Sequence, residues 1–287
     1  MTTPASPDNF TDESAPAAGG ESAPAAGGVT PAVGRRNTAR VNALAGFAWA
    51  LLGSAIAIAV WWLLTSTWVT NDPVITAMGP LDALAALPEL AERGVLLGDT
   101  WASLYRLLIG LAVAALLGVP MGLAVGLSKR TELASGPVIG FLRMISPLSW
   151  APVAVALFGI GHEPVIFLVA AAAVWPISLS TSAGVHAIDP GFMEVARSMG
   201  ATRFEILRVV VLPAIRGNVL SGIRLALGTA WIVLVPAEML GVRSGLGYQI
   251  LNARDQLAYD QVIAVILVIG VLGFALDWIS RKALVAR

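Results

Sequence analysis

Ala43–Leu64 runs for 22 residues without a charged side chain. A helix of that length, rising 1.5 Å per residue, crosses a hydrocarbon layer of about 30 Å. Five more apolar stretches follow: Leu107–Leu127, Met144–Gly161, Pro164–Val185, Val219–Leu240 and Val262–Ile279. Inside a bilayer every backbone donor and acceptor needs a partner within the protein, so such segments fold as helices. The chain therefore reads as an all-α integral membrane protein of about six transmembrane helices. The fifth stretch is the least uniform, with Arg224 and Glu238 near its two ends.

Composition excludes most alternatives. Hydrophobic residues make up 57% of the chain and charged residues 13%, about half the charge of an ordinary soluble domain at roughly 25%. A formal net charge of zero argues against nucleic acid as a partner. Without cysteine there are no disulfides, thiolate zinc sites or iron–sulfur clusters. The lysines, Lys129 and Lys282, follow Ser128 and Arg281, so no phosphate-binding Gly-Lys pair exists. His162 and His186 stand apart, Gly241, Gly245 and Gly247 form no dinucleotide fingerprint, and no nucleophile-and-base group stands out. No catalytic, cofactor or metal site is read from this chain.

Residues 1–40 are a different material. The octapeptide Glu-Ser-Ala-Pro-Ala-Ala-Gly-Gly occurs at Glu13–Gly20 and again at Glu21–Gly28. A Pro/Ala/Gly tract buries too little apolar surface to offset its ordering entropy and is expected to be disordered. Basic residues orient the rest. With the amino terminus inside, fourteen lysines and arginines face the cytoplasm, and only Arg93, Arg106, Arg243 and Arg254 lie outside. That bias sets both termini in the cytoplasm. In the outer segment, Leu84, Leu87, Leu90 and Ala91 share a helical face. That face either rests on the membrane surface or packs as a connector.

The loop between the fourth and fifth stretches, 188–217, has more structure than a connector needs. Asp189 and Pro190 read as a helix start. Phe192, Val195, Ala196 and Met199 then recur at i, i+3, i+4 and i+7 as one apolar stripe. Gly200 ends that helix. Thr202 and Glu205 read as a capping box for a second helix, which Pro213 is expected to terminate. Two readings fit this capped knob: a docking surface for a partner protein, or an interfacial helix on lipid headgroups.

The same residues carry a resemblance. Glu194-Val195-Ala196, three residues, Gly200, nine residues and then Val210-x-Leu212-Pro213 resembles the EAA loop of ABC importer permeases. Only Val195 and Val210 depart from the pattern, both conservatively. Pro147–Pro152, Leu157–Gly161, Val235–Leu240 and Ser244–Tyr248 are similar to the nitrate/sulfonate/taurine-type branch, where many relatives carry tryptophan at the position of Leu157. The resemblance implies a permease domain over 41–287 in the bacterial cytoplasmic membrane. It makes 188–217 a coupling loop, in which Glu194, Val195, Ala196, Gly200, Leu212 and Pro213 meet the ATPase. It implies two ATP-binding subunits carrying ATP and Mg, a second permease copy, in the family commonly an identical chain, and an extracytoplasmic solute-binding protein delivering a small anion such as nitrate, a sulfonate or taurine. The alternative, an ion-gradient-driven secondary transporter, calls for inverted repeats and mid-membrane carboxylates, and neither is evident.

Two intramembrane features remain open. Pro147 and Pro152 each remove a backbone donor, which makes Ser146, Pro147, Ser149 and Trp150 candidates for the translocation pathway or for a plain kink. Glu238 needs a partner at its depth, and Arg106 is placed to supply it. That pair is either structural or part of a gate that puts Glu238 on the pathway. Arg143 and Arg224 are expected to snorkel, and Asp277 to be a topology or packing residue.

Overall fold

The computed structural model of the chain describes residues 33–66 and 72–285, with no strand among them. The helices are α1 (Val33–Thr65), α2 (Pro73–Ala77), α3 (Pro80–Glu92), α4 (Val95–Leu127), α5 (Lys129–Leu142), α6 (Ala151–Phe158), α7 (His162–His186), α8 (Pro190–Ser198), α9 (Arg203–Glu205), α10 (Leu212–Gly241), α11 (Leu246–Asp255) and α12 (Tyr259–Val285). A 3-10 turn, Pro147–Trp150, precedes α6, and a π turn, Ile206–Val211, precedes α10. The chain divides into one unit ending at Ala55 and another from Ile56 onward. In the first, α1 begins at Val33; residues 1–32 of the expected tail lie outside the described residues.

In the second unit α7 is the central helix, with α4 and α10 against it and α12 beyond α10. What brings α4 so close is a stripe of small residues at every fourth position: Gly110, Ala114, Gly118, Gly122 and Gly126. A Cβ on Gly110 would lie 2.5 Å from Val169 Cγ1, one on Gly118 2.9 Å from the Val174 carbonyl oxygen, and one on Gly126 2.7 Å from Val185 Cβ. Two apolar helices in lipid gain little from the hydrophobic effect, so close backbone approach through small residues supplies the attraction. From α7 the relation is returned to α10, where a Cβ on Gly184 would meet Asn218 Cβ at 2.7 Å and one on Gly222 would meet Ser180 Cβ at 2.8 Å.

These contacts also give direction. Residues 110, 118 and 126 of α4 oppose 169, 174 and 185 of α7 in the same order, so α4 and α7 run parallel. On α10, 218 and 222 oppose 184 and 180, so α10 runs antiparallel to α7. Two parallel spans require the chain to return between them. The return is made by α5 and the Pro147–Phe158 segment, bent at 81°. With the five helices that are long and apolar enough to cross a membrane, this bent pair makes six crossings.

The third crossing corrects the expected Met144–Gly161 run. It starts at Lys129 and is broken between Leu142 and Pro147. Proline disfavours helical backbone in the residue before it, and Ser146 is extended at φ −60°, ψ 130°. Pro152 disturbs nothing, because it sits in the first turn of α6 where no amide partner is needed. Pro213 likewise does not end a helix. The second helix of the loop is the three-residue α9, which runs through the π turn directly into α10, with Pro213 in that helix's first turn. The wider π turn accommodates the ring and the missing donor that would otherwise break an α-helical ladder.

Among the outer elements, α3 is a packed connector. Ala86 and Leu90 are buried against Leu246, Ala264 and Val265, whereas Leu84 is exposed.

The α4–α7 contact makes a testable demand. Gly122→Leu drives a side chain into the Ser178 carbonyl and Thr181 and is expected to cost about 2 kcal/mol or more by overpacking. Gly136→Leu on α5, where a Cβ meets nothing within 4 Å, is expected to be tolerated. Thermal unfolding of the two variants in detergent separates them.

Candidate functional site

Two features at opposite ends of α10 stand out. The first is a buried polar clamp where α4, α7 and α10 meet the start of α11. Arg106 and Glu238 are 1% and 0% exposed, and Arg106 Nη1 lies 2.6 Å from Glu238 Oε1. Ser103 Oγ sits 2.8 and 2.9 Å from the two carboxylate oxygens, and the Gly247 amide donates to Oε2 at 3.0 Å. Arg106 also donates from Nη1 to the Ser244 carbonyl at 2.8 Å, from Nη2 to Ser244 Oγ at 2.6 Å, and from Nε to His162 Nδ1 at 3.0 Å. No buried side-chain polar atom among the described residues lacks a partner. An ion pair out of water is stable only when its remaining hydrogen-bonding capacity is filled in this way.

The clamp's object is a loop. Asp99 accepts from the Gly245 amide at 2.6 Å and from Gln249 Nε2 at 2.6 Å, and Ser103 Oγ accepts from the Leu246 amide at 2.9 Å. Asp99, Ser103 and Arg106 fall at i, i+4 and i+7 on one face of α4. Together they grip Ser244, Gly245 and Leu246 just after α10 ends. Gly245 has φ +105°, and a Cβ there would sit 2.5 Å from Arg106 Nη1, so only glycine suits the position.

Comparable depth in the membrane pairs Arg106 with Glu238 in the sequence, and the structure brings them together. It does not place Glu238 on an open pathway: the carboxylate has no exposed surface, and its donors come from protein groups. His162 is not isolated, since it accepts from Arg106 and meets the Tyr105 ring edge-on at 5.6 Å. Arg224 pairs with Asp277 at 3.7 Å, and Asp277 also holds Arg281 at 2.7 Å. The proline-flanked candidates separate. Pro147 and Trp150 line a cavity of about 230 Å³ with Phe167 and Trp175. Ser149 lines another of about 410 Å³ with Pro152, Val155 and Leu240. Ser146 is exposed at the break.

The second feature is the knob. Asp189 caps α8 by accepting from the Gly191 amide at 2.8 Å. Gly200 turns the chain with φ +79°. The capping box is complete: the Glu205 amide donates to Thr202 Oγ1 at 3.3 Å, and the Thr202 amide donates to Glu205 Oε2 at 2.7 Å. Beneath, Met193 and Ala196 pack on the buried Val185, Ile206, Val211 and Ile215. The expected single stripe is thus divided, because Phe192, Val195 and Met199 point away from that core at 65%, 58% and 82% exposure. They border an open cavity of about 890 Å³ that reaches Gly200, Ile206 and Val209. Glu194 is exposed beside them, and Leu212 and Pro213 open α10 with exposed side chains.

A family model described as binding-protein-dependent transport system inner membrane component matches residues 101–283. A putative aliphatic sulfonates transport permease protein of Bacillus subtilis is 35% identical over 231 residues, 80% of this chain and 83% of the relative. The taurine transport system permease protein of Escherichia coli is 33% identical over 238 residues, 81% and 86% of the two chains. A bicarbonate transport system permease protein of Synechococcus elongatus is 32% identical over 277 residues, 88% and 98%. Among solved structures, an inward-facing methionine ABC transporter shares the fold with a TM-score of 0.58 at 20% identity, covering 67% of this chain and 95% of that one.

Removing one member of the clamp strands the other. Arg106→Ala is expected to destabilise the fold by about 3–5 kcal/mol. The double replacement Arg106→Leu/Glu238→Leu is expected to recover part of that loss. Thermal unfolding in detergent measures both.

Proposed function

Because this chain belongs to the family of binding-protein-dependent transport system inner membrane components, we propose that its α8 knob is the surface on which an ATP-binding subunit docks. The chain itself is the permease of an ABC importer. The family assignment does not favour an ion-gradient mechanism. On this reading ATP hydrolysis, with its Mg, belongs to that separate subunit. The observation that carries this reading is the exposed apolar face of Phe192, Val195 and Met199 around an open cavity, on a helix otherwise capped at both ends. Large apolar side chains exposed together on a polar loop mark an interaction site.

On this reading the permease works as a pair of copies with two ATP-binding subunits and an extracytoplasmic binding protein, with both termini in the cytoplasm. ATP-driven closure of the docked subunits moves α8, and the spans rock between inward-open and outward-open states. The cargo is a small anion, in keeping with relatives named for sulfonates, taurine and bicarbonate.

Co-purification from membranes tests the docking. Wild type is expected to retain the ATP-binding subunit. Gly200→Asp, which puts a Cβ at φ +79°, and Glu194→Arg are expected to lose it while the permease remains inserted. Equal retention by both variants refutes the assignment.

A further inference from the structure

The clamp end of the molecule carries four arginines, and three are committed. Arg106 is spent on Glu238, Ser244 and His162. Arg93 pairs with Glu89 and Arg254 with Asp255. Arg243 alone among them has no ion-pair or hydrogen-bond partner among the described residues, and it lines a cavity of about 310 Å³. Tyr248 and Asn252, one and two turns into α11, share that lining. The Tyr248 hydroxyl has no partner among the described residues, and the Asn252 amide donates only a long 3.5 Å bond to Gln249. Asp255 also reaches the cavity, but Arg254 holds its carboxylate at 2.8 Å. Arg243 is thus the one lining group whose charge is not already taken up by a neighbour among the described residues.

The remaining wall is apolar. Val155 from the third crossing, Ile160 from the turn that follows it and Leu240 from α10 contribute to it, together with Met239, Val242 and Leu251. Val155 and Leu240 also wall the neighbouring 410 Å³ cavity that reaches Ser149 at the break in the third crossing. The two spaces therefore adjoin, one with a cationic mouth and the next leading inward. The mouth is built rather than loose: Ser244 and Gly245, which follow Arg243, are held by Arg106 and Asp99. This positions the backbone that carries Arg243, and the planar guanidinium fork loses less freedom per hydrogen bond to an anion than an ammonium does.

We propose that Arg243, Tyr248 and Asn252 form an outer recognition site for an organic anion with a short apolar chain, of the alkanesulfonate kind, its head on Arg243 and its chain against Val155, Ile160 and Leu240. This rests on the importer reading above and adds a selective site on the permease itself, separate from whatever the binding protein selects. Planar or tetrahedral oxyanions match the guanidinium fork. The apolar wall discriminates against ions that are hydrated on every side.

The test is equilibrium binding of radiolabelled butane-1-sulfonate to the assembled transporter in phosphatidylcholine nanodiscs, without binding protein. Saturable binding is expected in wild type, weakened about tenfold or more by Arg243→Gln and less by Arg243→Lys. Leu240→Asn is expected to weaken butane-1-sulfonate while leaving competition by sulfate unchanged. Wild type without saturable binding, or Arg243→Gln binding as wild type does, overturns the site. So does binding abolished by phosphatidylglycerol in the disc, which would assign Arg243 to lipid headgroups. ATP-dependent uptake of the same anion with binding protein present separates the two levels. Uptake without binding at this site removes only the recognition site, whereas absence of uptake of any anion removes the anion-importer reading beneath it.

Discussion

A guanidinium and a carboxylate with essentially no exposed surface must be solvated by protein alone, and the outer end of this fold is organised around meeting that demand. Arg106 and Glu238 cannot be left to find one another approximately. Each stray lone pair or N–H in such a place is costly, so Ser103, Ser244, Gly247 and His162 are drawn in to complete the set. Because several of those partners are backbone groups of the segment after α10, satisfying the pair also immobilises the loop. Asp99 extends the grip by one more turn of α4. The electrostatic requirement of two residues thus becomes the geometry of a whole mouth, including the direction from which Arg243 is presented.

Beneath that mouth the helices are held by shape. The small-residue stripe on α4 lets α7 come into backbone contact over about 24 Å, the rise of sixteen residues from Gly110 to Gly126. Parallel packing of α4 and α7 in turn obliges the chain to return between them, and the return is the one crossing that is broken. The break is chemically simple, an extended residue before a proline, but its location is topological. It lies between the two helices that fix the register of the bundle.

Much of this is legible in the sequence, for identifiable reasons. Long uncharged runs can only be spans, and the knob is bounded by caps and glycine, signals that depend on neighbours a few residues apart. Arg106 and Glu238 can be paired because an ionisable group at that depth has few options. Asp99 and Ser103 are recoverable too, since they share the Arg106 face at helical spacing. Ser244 and His162 are not, because they arrive through a loop and a third helix whose placement is non-local. The stripe from Gly110 to Gly126 is visible as a four-residue repeat, yet nothing local says that α7 rather than α10 fills it. Pro213 misleads for a related reason. Its steric demand is real, but a π turn meets it without ending the helix. The fate of Phe192, Val195 and Met199 shows the limit of periodicity, which finds an apolar face but not whether this chain covers it.

The path from Arg203 through the π turn to Gly241 is one continuous helical body of about 58 Å, from 39 residues at roughly 1.5 Å each. Its π turn lies next to the knob, and Pro236, which brings no amide donor to the helical ladder, sits inside the far end two residues before Glu238. Mechanically this is a beam with an irregular joint near each end. On the docking proposal, a thrust at Gly200 is taken up in part by the π turn and otherwise travels as tilt of the beam. At the far end Glu238 ties the beam to α4 and to the start of α11 through several bonds, all of which must part together before that end can leave its neighbours.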